Sequence, residues 1–141
     1  MGKILVIKGA NFSENAVDTQ EISDLTLLEW TKGSVNSDGT INPSNGQQVY
    51  SQIVSISEGA TTVTMTTTTN RYLTFVFYTS ADVFIVRNVI TQSGMSASSA
   101  VPSNATKIRL MVGLQAGVGD DANAFIAASG LEFTGIDARL Y

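Results

Sequence analysis

At 141 residues, with 43% hydrophobic and 14% charged residues and a formal net charge of −4, the chain has the size and apolar content of one domain with its own core. It contains neither cysteine nor histidine, which excludes disulfides, thiolate or imidazole metal sites, a Ser-His-acid triad and His-based phosphoryl transfer. The negative balance argues against nucleic acid and anionic membranes as partners, because both require a positive patch.

The chain opens on Met1-Gly2-Lys3-Ile4-Leu5-Val6-Ile7-Lys8. Lys8 stops the apolar run too soon for the hydrophobic region of a signal peptide, and no later stretch has the length of a membrane span. Ile4 to Ile7 therefore reads as a first strand of a chain made without a cleaved leader. N-myristoylation is set aside because Val6 stands where that pattern wants Ser or Thr. Residues 9–15 form a polar loop, 17–24 an irregular connection and 25–30 the next strand. Ser37-Asp38-Gly39-Thr40 signals a tight turn, since glycine supplies positive φ and aspartate bonds its own backbone. A second turn follows at 42–46. The stretch 49–56 is a strand whose mixed alternation leaves its inward face open.

Residues 61–69 form a threonine-rich strand with Val63 and Met65 on one side and hydroxyls on the other. Ordinary β propensity explains it; an ice-like or glycan-contacting hydroxyl ladder would need the pattern to extend over several strands. After a turn at Asn70-Arg71 comes the densest aromatic and β-branched stretch, Tyr72-Leu73-Thr74-Phe75-Val76-Phe77-Tyr78, then small polar residues and Val83-Phe84-Ile85-Val86-Arg87. This is the signature of a β-hairpin. Leu73, Phe75 and Phe77 are expected in the core and Tyr72, Thr74, Val76 and Tyr78 on the opposite face, which puts Tyr72 and Tyr78 nearer solvent or an interface. Residues 91–99 are Ser-rich and read as a loop, with a break at Pro102. In 107–112, Ile108, Leu110 and Val112 alternate inward with Lys107 and Arg109 outward. Residues 117–121 form an acidic loop. Residues 124–129 have helical composition but make too few turns to be stable alone. Residues 131–141 close the chain as one or two strands. Eight or so strands at this spacing make the class all-β, a two-sheet antiparallel β-sandwich of jelly-roll type in which 1–24 packs as an N-terminal strand and loop on a single domain spanning 1–141.

Trp30-Thr31-Lys32-Gly33, then Asp38-Gly39, the stretch 72–86 with its small polar turn, and Val101-Pro102-Ser103-Asn104-Ala105 before Ile108-Arg109-Leu110 resemble the carbohydrate-binding-module-like jelly rolls of phage tail and fibre proteins and of bacterial surface glycosidases. The likeness covers roughly residues 28–112, and its motifs are mainly structural. Asn11, Glu14 and Asp137 are similar to residues that hold a structural calcium ion in many such modules, through carboxylate and backbone oxygens. Ser13 stands where those modules often carry Glu after Phe; a capped loop and a solvated terminal aspartate are the other reading of these residues. No other cofactor is expected.

Sugar recognition combines an aromatic platform with planar polar groups. Tyr72, Tyr78 and Trp30 are the aromatic candidates, with Tyr50 behind them, although Trp30 reads first as a core anchor. Arg87 and Arg109 are the leading polar candidates, ahead of Lys107 and Gln115; Lys107 and Arg109 read first as a solvated strand face. A glycosidase needs two carboxyls across a cleft, and nothing in the spacing of Glu29, Glu58, Asp82, Asp120, Asp121, Glu132 and Asp137 pairs any two of them. The expectation is a non-catalytic phage or prophage virion accessory protein that binds bacterial surface polysaccharide or another host surface. The alternatives are a capsid decoration or head-fibre protein docking on other virion proteins, and a binding module serving a surface glycosidase. A homo-oligomer, with a trimer as one form, on the virion or at the extracellular surface completes it.

Overall fold

In a computed structural model, residues 28–134 are described. The strands are β1 Trp30–Lys32, β2 Ser34–Val35, β3 Ile41–Asn42, β4 Gln48–Ser51, β5 Val54–Ser55, β6 Thr62–Tyr78, β7 Phe84–Ala100, β8 Lys107–Gly113 and β9 Glu132–Thr134, with one helix, α1 Ala122–Ser129, between the last two. The class is all-β: a curled antiparallel sheet and a second, small one. The main sheet runs β1-β4-β8-β6-β7, with β5 extending the β4 side along β8 and β9 lying on β6; β2 and β3 pair with each other.

The organising element is β6. Its second half pairs β8 from Tyr72↔Gly113 to Tyr78↔Lys107, its first half pairs β9 at Met65↔Phe133, and β7 follows it on the other side. Residues 67–70 of β6 face only Met95 of β7, and further register shifts fall near Leu73 and Tyr78. Extra residues in one strand bend it and raise its local twist, so this irregularity lets one strand turn from a β9-paired segment into a β8-paired one. Asn70-Arg71, read as a turn, therefore lies inside β6. The stretch 91–99, read as a loop, is the second half of β7: Ala97 and Ser99 face inward while Ser96 and Ser98 face out. An edge strand packed by one neighbour fills its inner face with small residues, and the apolar alternation that marks a strand is missing.

On one face of the sheet Leu73, Phe75, Phe77, Ile108, Leu110 and Val112 are wholly buried, as the two-residue period requires. The Phe75 ring lies 6.4 Å from Phe77 and 6.1 Å from Phe133. Trp30 belongs to this cluster at 6% exposure, the core anchor its sequence position indicated. The short helix α1 packs here against β1 and β6. It persists despite its length because Asp121 caps it by accepting from the Ala124 N–H, Gly130 ends it in the left-handed conformation, and Ile126 is fully buried. Arg71 ties it down, with Nε donating to Ser129 Oγ at 2.8 Å and the guanidinium 4.8 Å from the Phe125 ring centre.

Candidate functional site

The opposite face carries the residues expected to bind a ligand. Cross-strand partners on β8, β6 and β7 place Arg109, Val76 and Arg87 in one row, and Lys107, Tyr78 and Phe84 in the next. Over these rows lies the β2–β3 hairpin. Val35 is fully buried against Val76, Tyr78 and Met111, with Tyr50, Ile53 and Phe84 around them. The hairpin's turn has the bonds its sequence implied: Asn36 N–H donates to Thr40 O at 2.7 Å, Gly39 N–H to Asn36 O at 2.9 Å and Thr40 N–H to Asp38 Oδ1 at 3.0 Å. The second bond from Thr40, through its hydroxyl, holds the Asp38 carboxyl below its usual pKa.

This cover corrects the expectation for Tyr78, which is buried, at 4% exposure. The opposite face of the hairpin was expected near solvent because its covering segment lies far upstream, in residues 34–42, where two-residue strands leave almost no periodic signal. Burial pushes the Tyr78 phenol above its ordinary pKa, against the opposing pull of Arg109. Arg109 is clamped rather than free. Its guanidinium carbon lies 5.0 Å from the Tyr50 ring centre and 5.6 Å from that of Tyr78, while Nε donates to Ser51 O at 2.9 Å and Nη1 to the Tyr78 hydroxyl at 3.2 Å. Arg87 donates from Nη1 to Val35 O at 3.0 Å and so holds the hairpin on the sheet; its Nε is buried without a hydrogen-bond partner. Lys107 pairs with Asp82 at 2.8 Å, whereas no ion pair between described residues involves Arg87 or Arg109.

Of the five residues expected to contact ligand, the structure brings Tyr78, Arg87 and Arg109 onto one face but turns their polar atoms toward the protein. Trp30 lies on the other face, in the core. Tyr72, opposite Gly113, is half-exposed, as are Arg87 and Arg109, whose hydrogen bonds nonetheless run to the protein. Asn11, Glu14 and Asp137, to which the resemblance assigned calcium, lie outside the described residues. Among the described residues no group of three or more acidic side chains is placed to hold a metal ion, and no helix is long and apolar enough to cross a membrane.

Where the β2–β3 cover stops, the same face is polar and, among the described residues, partly open. Thr62, Thr64 and Thr66 of β6 lie beside Ala100, Ser98 and Ser96 of β7, and β9 adds Thr134 beside Thr64 and Glu132 beside Thr66. Thr64 and Ser98 hydroxyls bond at 2.9 Å. Hydroxyls thus stand side by side on β6 and β7, with Thr134 of β9 joining them and Ala100 and Glu132 interrupting any regular repeat; the serines sit in the segment read as a loop. Comparisons with protein-family models, with curated proteins and with solved structures returned no match.

Proposed function

We propose that the chain is a non-catalytic accessory protein of a bacteriophage or prophage virion, of jelly-roll type, that acts as a structural building block in the manner of a decoration or head-fibre protein. One observation favours this over glycan capture by an aromatic platform: the aromatic and arginine side chains suited to such a platform are engaged inside the fold, Tyr78 and Trp30 by burial and Arg109 between two tyrosines. A chain whose polar side chains hold its own backbone is suited to presenting a rigid outer surface. The Ser-, Thr-, Asn- and Gly-rich composition and the resemblance in residues 28–112 support the virion setting. Mass spectrometry of gradient-purified particles from cells expressing the chain tests it. Recovery in fixed ratio to the major capsid protein is the expected result, and absence from particles overturns the reading.

Attachment to bacterial surface polysaccharide is the second reading, and the adjacent hydroxyls of β6 and β7, with Thr134 beside them, support it. Its test is binding of the purified protein to a polysaccharide panel. Saturable binding lost in Thr64→Lys but kept in Tyr72→Ala favours the hydroxyl face, the converse favours Tyr72, and no binding across the panel leaves the structural role.

A further inference from the structure

Two pairs in the sequence, Asp38-Gly39 and Asn45-Gly46, set a side-chain carbonyl beside a main-chain amide that no β-carbon shields, the pattern from which a chain can close a cyclic imide on itself. The structure separates them. At the first pair the Gly39 N–H is taken up by Asn36 O at 2.9 Å, and the Thr40 N–H and hydroxyl hold the Asp38 carboxyl as its unreactive anion. At the second, neither the Gly46 N–H nor Asn45 Nδ2 donates to any atom among the described residues, while Asn45 Oδ1 accepts from the Gln47 N–H at 2.8 Å. The attacking and the leaving nitrogen are thus both unheld. The one bond present polarises the side-chain carbonyl and is aimed at the oxygen on which charge develops during attack. Asn45 and Gly46 are partly exposed, so water reaches them.

We infer that Asn45-Gly46 is a site of spontaneous backbone modification, at which the folded chain converts Asn45 to a mixture of aspartate and isoaspartate. The Gly46 nitrogen loses its proton to base and bonds to Asn45 Cγ; the Cγ–Nδ2 bond breaks, and Nδ2 takes a proton from water and leaves as ammonia. Water then opens the imide. Addition at Cγ breaks the new Cγ–N bond and restores the backbone with aspartate at 45. Addition at the Asn45 main-chain carbonyl carbon breaks the original peptide bond instead and routes the chain through the side chain as isoaspartate. Either product adds one negative charge to the −4 of the chain, and isoaspartate also lengthens the backbone. This turn is a place where added length is felt, because Gly46 O accepts from the Val118 N–H at 3.1 Å, Gln47 O from the Leu114 N–H at 3.0 Å and Gln115 O from Gln47 Nε2 at 2.8 Å. The modification therefore unfastens the segment 114–118 after β8 from the entry to β4. Other asparagines are placed against the reaction: Asn42 precedes Pro43, which has no N–H, and the Ala105 N–H after Asn104 is bonded to Pro102 O.

Incubation of the purified full chain at mildly alkaline pH tests the inference, with peptide mass mapping and labelling by isoaspartyl methyltransferase as readouts. Both isomers are expected to accumulate at position 45, faster than at any other asparagine and at least as fast in the folded chain as in urea. Gly46→Ala is the decisive variant, since Gly46 is not among the glycines of positive φ and a Cβ there meets only Lys32 Cε, at 3.7 Å. It should keep its near-ultraviolet circular dichroism and slow the conversion at least about tenfold by obstructing the approach of the nitrogen. Hydrogen exchange should show the Leu114 and Val118 amides losing protection in the isoaspartate fraction while those of β6 keep it. Faster conversion in urea than in the folded chain, equal conversion at several asparagines, an unchanged rate in Gly46→Ala, or full protection at Leu114 and Val118 after conversion overturns the inference.

Discussion

The Tyr78 hydroxyl accepts a hydrogen bond from Nη1 of Arg109 across the strand pair β6–β8. This bond exists beneath the β2–β3 cover, and burial is the largest influence on the phenol, raising its pKa above the usual value of 10.0. A folded-state pKa above the unfolded one means that the neutral phenol's stabilisation is complete below the unfolded value and is lost as pH rises through the folded one. Unfolding free energy should therefore fall as pH climbs past about 10. Tyr78→Phe should remove that part of the alkaline slope while costing about 0.5–1.5 kcal/mol at neutral pH for the lost hydrogen bond. Urea titrations of both proteins across the alkaline range check this; identical slopes would show that the destabilising group lies elsewhere.

Gly39 meets Phe84 in the same layer. Its backbone has φ +91°, and a Cβ there would stand 2.5 Å from the Phe84 ring. Gly39→Ala should cost about 1–2 kcal/mol through the backbone alone, with a further steric cost from the ring. The steric share should return in the double variant Gly39→Ala/Phe84→Ala, and the backbone share should not. A double-mutant cycle measured by chemical denaturation separates the two, and a fully additive result would mean that the hairpin tip moves away from Phe84 at no cost.

Helix α1 depends on its caps and on Arg71 more than on its own propensity. Asp121→Ala should cost about 0.5–2 kcal/mol. Arg71→Ala should cost about 1–2 kcal/mol, because both the bond to Ser129 and the contact with Phe125 are lost. Hydrogen exchange gives the more specific readout: amides of Ala122–Ser129 should lose protection in Arg71→Ala while those of β8 keep it. Uniform loss over the sheet would instead make Arg71 a determinant of the global fold.

Phe75 and Met95 bracket the range of side-chain contributions. Phe75 is fully buried between two aromatic neighbours, and Phe75→Ala should cost about 3–5 kcal/mol. Met95 is half-exposed at the sheet edge, and Met95→Ser should change monomer stability by no more than about 0.5 kcal/mol. Thermal or urea unfolding at a concentration that keeps the chain monomeric gives both values.

The parts of the fold readable from residues are those whose neighbours lie close in sequence or whose burial follows a period of two. The aromatic hairpin and the β8 alternation Ile108, Leu110, Val112 belong to that group, as does the turn at Asp38-Gly39. The second half of β7 does not, because Ala97 and Ser99 are small enough to disguise an inward face. Nor does the burial of Tyr78, which depends on Val35 arriving from far upstream. The candidate site suffered for the same reason. Alternation correctly put Tyr78 and Arg109 away from the main core, but alternation cannot show that a two-residue strand covers that face. The hydroxyl face required knowing that β7 and β9 flank Thr64, a tertiary fact carried by no single segment.

The order of strands in space also fixes an order in time. β4 has β1 on one side and β8 on the other, with Val49 paired to Val112, so during synthesis β4 can meet β1 early but waits for β8 on its other edge until Gly113 has been added. The β6–β7 hairpin closes over a short connection, where the Thr79 N–H donates to Val83 O, and it is the natural first structure to form. Distant pairings of this kind slow folding. A chain ending before Lys107 would leave the main core and the covered face both open, so truncation should yield an aggregating product rather than a smaller domain.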